Sequence, residues 1–173
     1  MTRFFFNTIF YSGFFLICIF FLPSLFMPKK VAIFAGRISG YWSSLCVKKL
    51  LGVKIIVKGL DNIPKKEKFF IACTHQSIFE TFYLQAIFNG PIFILKKELL
   101  KIPIFGLYLK KIGSVSIVRE KVDRDNLKFM ENIKKQTSSS FRPLVIFPQG
   151  TRVNIEDFVP FKKGVYRIYE ELK

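Results

Sequence analysis

Residues 4 to 22 read FFFNTIFYSGFFLICIFFL and carry no charged side chain. At ~1.5 Å of rise per residue a helix of that length matches the hydrocarbon thickness of a bilayer. The run is longer than the apolar part of a cleavable signal, and PSLFMPKK follows it where a signal peptide would place small residues around a cut. It therefore reads as a membrane helix, with residues 1–28 as the anchor. Arg3 alone precedes it, whereas Lys29, Lys30 and Arg37 follow, which assigns the C-terminal side to the cytoplasm. A second helix is expected over 31–51, with Ile38, Trp42, Leu45 and Lys49 at helical spacing and Gly52 as its stop. Residues 29–52 then lie at the membrane interface or pack on the rest of the protein.

After Gly52 the pattern changes to short apolar runs separated by helical stretches, the pattern of an α/β domain over 53–173. VKIIVKG alternates like a half-exposed strand, and FFIAC, IFIL, SVSIV and PLVIF read as buried ones. Helices are expected over 77–88, from KKELL, over 123–137 with Leu127, Met130 and Ile133 inward, and from KKGVYRIYEELK to the chain end. Lys and Arg number 28 against 12 Asp and Glu, a formal charge of +16, so anionic partners such as membrane lipid or a phosphorylated substrate are favoured. The three cysteines, Cys18, Cys46 and Cys73, form no CxxC pair, and one histidine without a carboxylate cluster is a poor start for a metal site. No P-loop or dinucleotide fingerprint is present, and no basic-aromatic motif points to nucleic acid.

Three segments fall just after strands, where α/β folds place their chemistry. They are HQSIFE, VRE and FPQGTR. His75, the only histidine, lies five residues before Glu80. A neutral imidazole can take a proton from an alcohol, and a carboxylate can fix its tautomer and stabilise the imidazolium that results. Equally, Ser77 and Glu80 have the spacing of a helix-capping box. In FPQGTR, Gly150 lets backbone amides approach a ligand, Thr151 offers a hydroxyl and Arg152 a planar fork suited to a phosphate. Arg119 ends another strand.

The ordered set HQSIFET, KKELLKIPIFG, GSVSIVR, FPQGTR and PFKKG, behind an apolar helix, resembles the 1-acylglycerol-3-phosphate acyltransferase family, from about residue 30 to the end. The resemblance implies a mixed sheet flanked by helices, as in glycerol-3-phosphate acyltransferases. It also implies an enzyme of the cytoplasmic membrane that moves a fatty acyl group from acyl carrier protein or coenzyme A to the free hydroxyl of lysophosphatidic acid, giving phosphatidic acid. No metal or bound cofactor is implied; the thioester is a co-substrate. The family's histidine-x4-aspartate motif falls on His75 and Glu80, as base and orienting carboxylate. Its second block falls on Gly113 to Arg119 and its third on Phe147, Pro148, Gln149, Gly150, Thr151 and Arg152, both resembling phosphate-holding elements.

Glu80 stands where the family usually has aspartate, and Gln149 where it usually has glutamate; both variants resemble a bacterial branch. Gln149 keeps the length without the charge, the mark of a hydrogen-bonding position. Members of the family continue past the helix begun at Lys163 into a strand carrying a fourth motif, so the sequence is expected to be truncated at its C-terminus. Two rivals remain: an acyltransferase acting on another lysolipid or an amino-acid lipid, and a non-catalytic protein that binds anionic lipid through its charge.

Overall fold

The computed structural model describes residues 2–64, 67–118 and 124–172, with backbone only at Thr2 and over 124–127. The apolar run forms α1, Thr2–Phe20, which stops where Pro23 enters a 3-10 turn over Leu22–Leu25. Next comes α2, Lys29–Leu50, and then β1 (Phe70–Ala72), α3 (Phe79–Ile87), β2 (Ile92–Lys96) and α4 (Phe105–Lys111). The chain closes with β3 (Val115–Ile117), α5 (Arg124–Ser138), β4 (Leu144–Ile146) and α6 (Lys163–Leu172).

The strands lie in the order β1-β4-β2-β3, and every described pairing is parallel. A mixed sheet was expected. The described strands are parallel, each being followed by a helical crossover, and VKIIVKG, expected as a half-exposed strand, is not a strand. Residues 53–59 join no strand pairing among the described residues and are almost entirely exposed, so their alternation finds no face to bury.

Alternation along the strands distributes the core over both faces. Ile92, Ile94, Leu144 and Ile146 point to one side, where Met130 and Ile133 of α5 and Ile168 of α6 close over them. On the other side Leu95 meets the cluster that joins α1, α2 and α4. Covered on both faces, β4 is wholly buried, which is why LVI is uniformly apolar.

The face that α2 buries is made of small residues, Ala32, Ala35, Ser39, Gly40 and Ser43, and not of the larger ones at Ile38, Trp42 and Leu45. Small residues let helix backbones approach closely: a Cβ on Gly40 would stand 2.5 Å from the Phe82 carbonyl oxygen of α3. Phe10 and Cys18 of α1 are also buried, and Trp42 donates a hydrogen bond to the Phe10 carbonyl at 3.1 Å. Tyr108 of α4 donates to the Cys18 carbonyl at 2.8 Å. One face of α1 is therefore packed on α2, α3 and α4, while Phe15, Leu16, Ile19 and Phe20 face outward.

Candidate active site

In a parallel sheet all strands end at one edge, and β1 and β4 are neighbours there. The segments that follow them therefore meet. The His75 carbonyl accepts the Val153 N–H at 2.8 Å, and the His75 ring stacks on Phe147 with centroids 4.2 Å apart and 26° between planes.

Glu80 performs both tasks that its spacing allows. Its Oε1 accepts the backbone N–H groups of Ser77 at 2.8 Å and Gln76 at 2.5 Å, and Oε2 accepts the Ser77 hydroxyl at 2.6 Å. Ser77 Oγ in turn accepts the Phe79 N–H at 3.0 Å, so the start of α3 is capped. The same Oε1 lies 2.9 Å from His75 Nδ1, so this longer carboxylate meets the ring directly.

Burial works to raise the Glu80 carboxyl, but the hydrogen bonds from Ser77, His75 and the backbone outweigh it and hold the group below its ordinary value. An ionised carboxylate can only accept. Nδ1 must then carry the proton, which leaves Nε2 as the ring's proton-accepting atom. Ser77 is committed to Glu80, so no Ser-His-acid relay is assembled. Cys73 is no nucleophile either, because burial and the nearby Glu80 charge push its thiol up and keep it protonated.

The segment after β4 turns at Phe147–Gly150, where the Gly150 N–H reaches the Phe147 carbonyl at 2.9 Å. Gly150 has φ +71°, a conformation that favours glycine, and it delivers Thr151 and Arg152 to the surface at the rim of a cavity of about 1250 Å³. His75, Phe147, Pro148, Gln149, Gly150, Thr151 and Arg152 all line that cavity. Gln149 is buried, and its Oε1 has no hydrogen-bond partner among the described residues.

Arg119 lies outside the described residues, as does the Leu127 side chain. Gly113 does not join the site. It has φ +80° in the turn before β3, at the opposite edge of the sheet, where an added Cβ would strike the Gln136 and Lys29 side chains. The two ends of a strand lie at opposite edges of a sheet, so a glycine that precedes β3 is held away from the edge that carries His75.

Sequence reasoning passed over other parts of the cavity. Tyr11, Phe14 and Ile17 of α1 line it, as do Phe93 of β2 and Arg167 of α6. The α1 residues were hidden by the uniform apolarity of their helix. Lys162, in the quoted PFKKG segment, also lines it, and its N–H is fixed by the Pro148 carbonyl at 2.9 Å.

The acyltransferase family model matches residues 54–173. The chain belongs to the acyltransferase family. Among its curated relatives is the 1-acyl-sn-glycerol-3-phosphate acyltransferase of Helicobacter pylori, 36% identical over 130 residues, which are 74% of this chain and 53% of the relative. The enzyme of the same name from Pseudomonas aeruginosa is 33% identical over 117 residues, 65% of this chain and 43% of its own. The crystal structure of the 1-acyl-sn-glycerophosphate (LPA) acyltransferase from Thermotoga maritima shares the fold with a TM-score of 0.65 at 24% identity, over 96% of this chain and 66% of that one. The chain spans about half the length of the curated relatives it matches. The family match begins after α2, but the structural likeness covers too much of the chain to leave out either N-terminal helix. In this chain those helices belong with the cavity, since α1 and α2 both supply lining residues.

Proposed function

We propose that this chain transfers a fatty acyl group from a thioester, carried by acyl carrier protein or coenzyme A, to the free hydroxyl of lysophosphatidic acid, making phosphatidic acid for membrane phospholipid. The observation that carries this reading is the His75–Glu80 pair, whose proton-accepting Nε2 belongs to a ring lining a mostly apolar cavity with Arg152 at its rim. The name shared by the curated relatives supports the acceptor.

In the reaction, His75 Nε2 takes the hydroxyl proton as the oxygen attacks the thioester carbonyl. The carbon–sulfur bond then breaks, and the thiolate leaves with that proton. Glu80 stabilises the imidazolium through Nδ1–H, a general-base arrangement that contributes ~10² to 10⁴ in rate. The acyl chain occupies the apolar cavity. Arg152 holds the phosphate, with Arg119 in the same role by family motif; Thr151, the Gly150 backbone and the Gln149 amide complete the wall around it. Residues 1–28 anchor the protein in the cytoplasmic membrane, 29–52 pack beneath, and 53–173 carry the catalysis facing the cytoplasm.

His75→Ala should lower acyl transfer to near background, and full activity in that variant would sink the assignment. Arg152→Ala should raise KM for lysophosphatidic acid more than KM for the acyl donor. Equal effects on the two would remove its phosphate role.

A further inference from the structure

Helix α3 has a concavity on each side. Phe82 and Gln85 line the cavity beside His75, whereas Tyr83 and Ile87 line a second groove of about 580 Å³. The two share no lining residue. The groove is closed on its other sides by Tyr41 of α2 and by Val57, Leu60 and Ile63, from the segment that leads to β1. Every lining side chain is apolar or aromatic, and the hydroxyls of Tyr41 and Tyr83 are its only polar side-chain atoms. The walls are preformed. Gly59 has φ +77°, the Ile63 N–H reaches the Leu60 carbonyl at 3.2 Å, and the Tyr83 ring stacks on Phe79 with centroids 5.0 Å apart.

The lining carries no charge, but the segment that forms its outer wall does. Residues 48–64 hold Lys48, Lys49, Lys54 and Lys58 against one acid, Asp61. Lys54 and Lys58, on either side of Val57, are exposed and enter no ion pair among the described residues. An apolar slot beside unpaired cations matches a molecule with one hydrocarbon tail and one anionic head. Its volume falls within the ~300 to 1,000 Å³ of small-molecule sites. A second copy of the chain is a poor occupant, because it would bring the same excess of lysine against Lys54 and Lys58. A phosphate head is poorly served too, since no arginine lines the groove and phosphate recognition favours the guanidinium fork.

We propose that this groove is a binding site for a free fatty acid, the tail lying between α3 and the wall formed by Val57, Leu60 and Ile63, and the carboxylate lying toward Lys54 and Lys58. The site does not rest on the acyl transfer proposed above. Its occupant touches the helix that carries Glu80: Tyr83 stacks on Phe79, whose N–H is accepted by Ser77 Oγ, and the Ser77 hydroxyl donates to Glu80.

Leu60→Trp puts a reporter in the groove, and Val57→Trp puts one on the adjoining wall. Leu60 and Val57 are 47% and 40% exposed, so neither change disturbs the core. The chain's own Trp42 points to α1, where it donates to the Phe10 carbonyl. Each variant, in nonionic detergent, is titrated with dodecanoate brominated at the end of its tail. Emission should fall about twofold further than in the unchanged protein, because bromine quenches at contact range; quenching equal to the unchanged protein in both variants overturns the site. Adding Lys54→Glu and Lys58→Glu to Leu60→Trp should raise the half-quenching concentration about tenfold, and an unmoved midpoint overturns the placing of the carboxylate. The uncharged brominated alcohol of equal length should also need about ten times more. Equal potency of acid and alcohol removes the anionic head from the proposal. Three further results would assign the groove elsewhere and overturn the fatty acid: tighter binding of the brominated alkyl phosphate, equal quenching by vesicles of brominated phosphatidylcholine, and a concentration-dependent spectral shift without any probe, the sign of a second copy. All these readings are taken without acyl transfer, so a failure of the proposed function leaves them intact.

Discussion

The substitution Glu80→Gln isolates charge from geometry at the candidate site. Oε1 accepts from His75, Gln76 and Ser77, and a glutamine carbonyl oxygen can keep those three bonds. The Ser77 hydroxyl can turn to accept from the new amide instead of donating to Oε2. Lost is the negative charge beside an imidazole that becomes cationic only as the hydroxyl attacks. Both side chains are 17% exposed, so an effective dielectric of about 20 applies, and unit charges ~4 Å apart then attract by about 4 kcal/mol. The amide dipole retains part of this, leaving a loss of roughly 3 kcal/mol, or about 10² in kcat. KM should hardly change, because the interaction strengthens only in the transition state. The assay is release of the free thiol with lysophosphatidic acid as acceptor, kcat and KM being measured separately. A kcat within about threefold of the unchanged protein would refute stabilisation of the imidazolium by the Glu80 charge. The pH dependence of folding gives an independent check. Because the folded-state carboxyl is held below its ordinary value, its stabilising contribution is complete above the usual carboxylate range and is lost as pH falls through the lower folded value. Glu80→Gln should therefore melt below the unchanged protein at neutral pH, and the gap should close on acidification below about pH 4.

Arg142, pushed down to about 10 by burial, donates to the Gly90, Pro91 and Ile112 carbonyls at the sheet edge opposite His75. Arg142→Met strands those acceptors and should cost about 3 kcal/mol in urea unfolding; an unchanged midpoint would refute the clasp. Gly40→Val drives a side chain into the Phe82 carbonyl and should cost about 2 kcal/mol, lowering the melting temperature by roughly 4 to 8 °C.

The elements with strong periodicity were legible from the sequence, and α2, α3 and α6 all lie where their apolar spacing put them. α4 was not. Its seven residues follow Pro103 and the strained Ile104, and its apolar positions Phe105, Tyr108 and Leu109 are too few to establish a period. VKIIVKG failed for the opposite reason, having the right alternation and no neighbour to bury it. At the site, HQSIFE and FPQGTR were readable because each follows a buried strand, but alternation does not reveal strand order. That β4 inserts beside β1 and brings Phe147 onto the His75 ring is a tertiary fact. The buried face of α2 did not stand out in the sequence because small residues carry little hydrophobic signal, though they govern how closely helices approach.

One helix ties the chemistry to the cavity. The first turn of α3 holds Glu80 against His75, and its next residues, Phe82 and Gln85, line the cavity where α3 packs on α1 and α2. The seat of α3 on Gly40 therefore sets the orientation of the base and the width of the space where the acyl chain is proposed to lie. A clash there cannot be absorbed by a flexible side chain, because the atom it meets is a backbone carbonyl. Gly40→Val should consequently lower kcat as well as stability at temperatures where the protein is still fully folded. Arg142→Met, acting at the far edge of the same sheet, should lower stability alone. Equal losses of kcat in the two variants, both folded, would mean that α3 does not couple the base to the cavity.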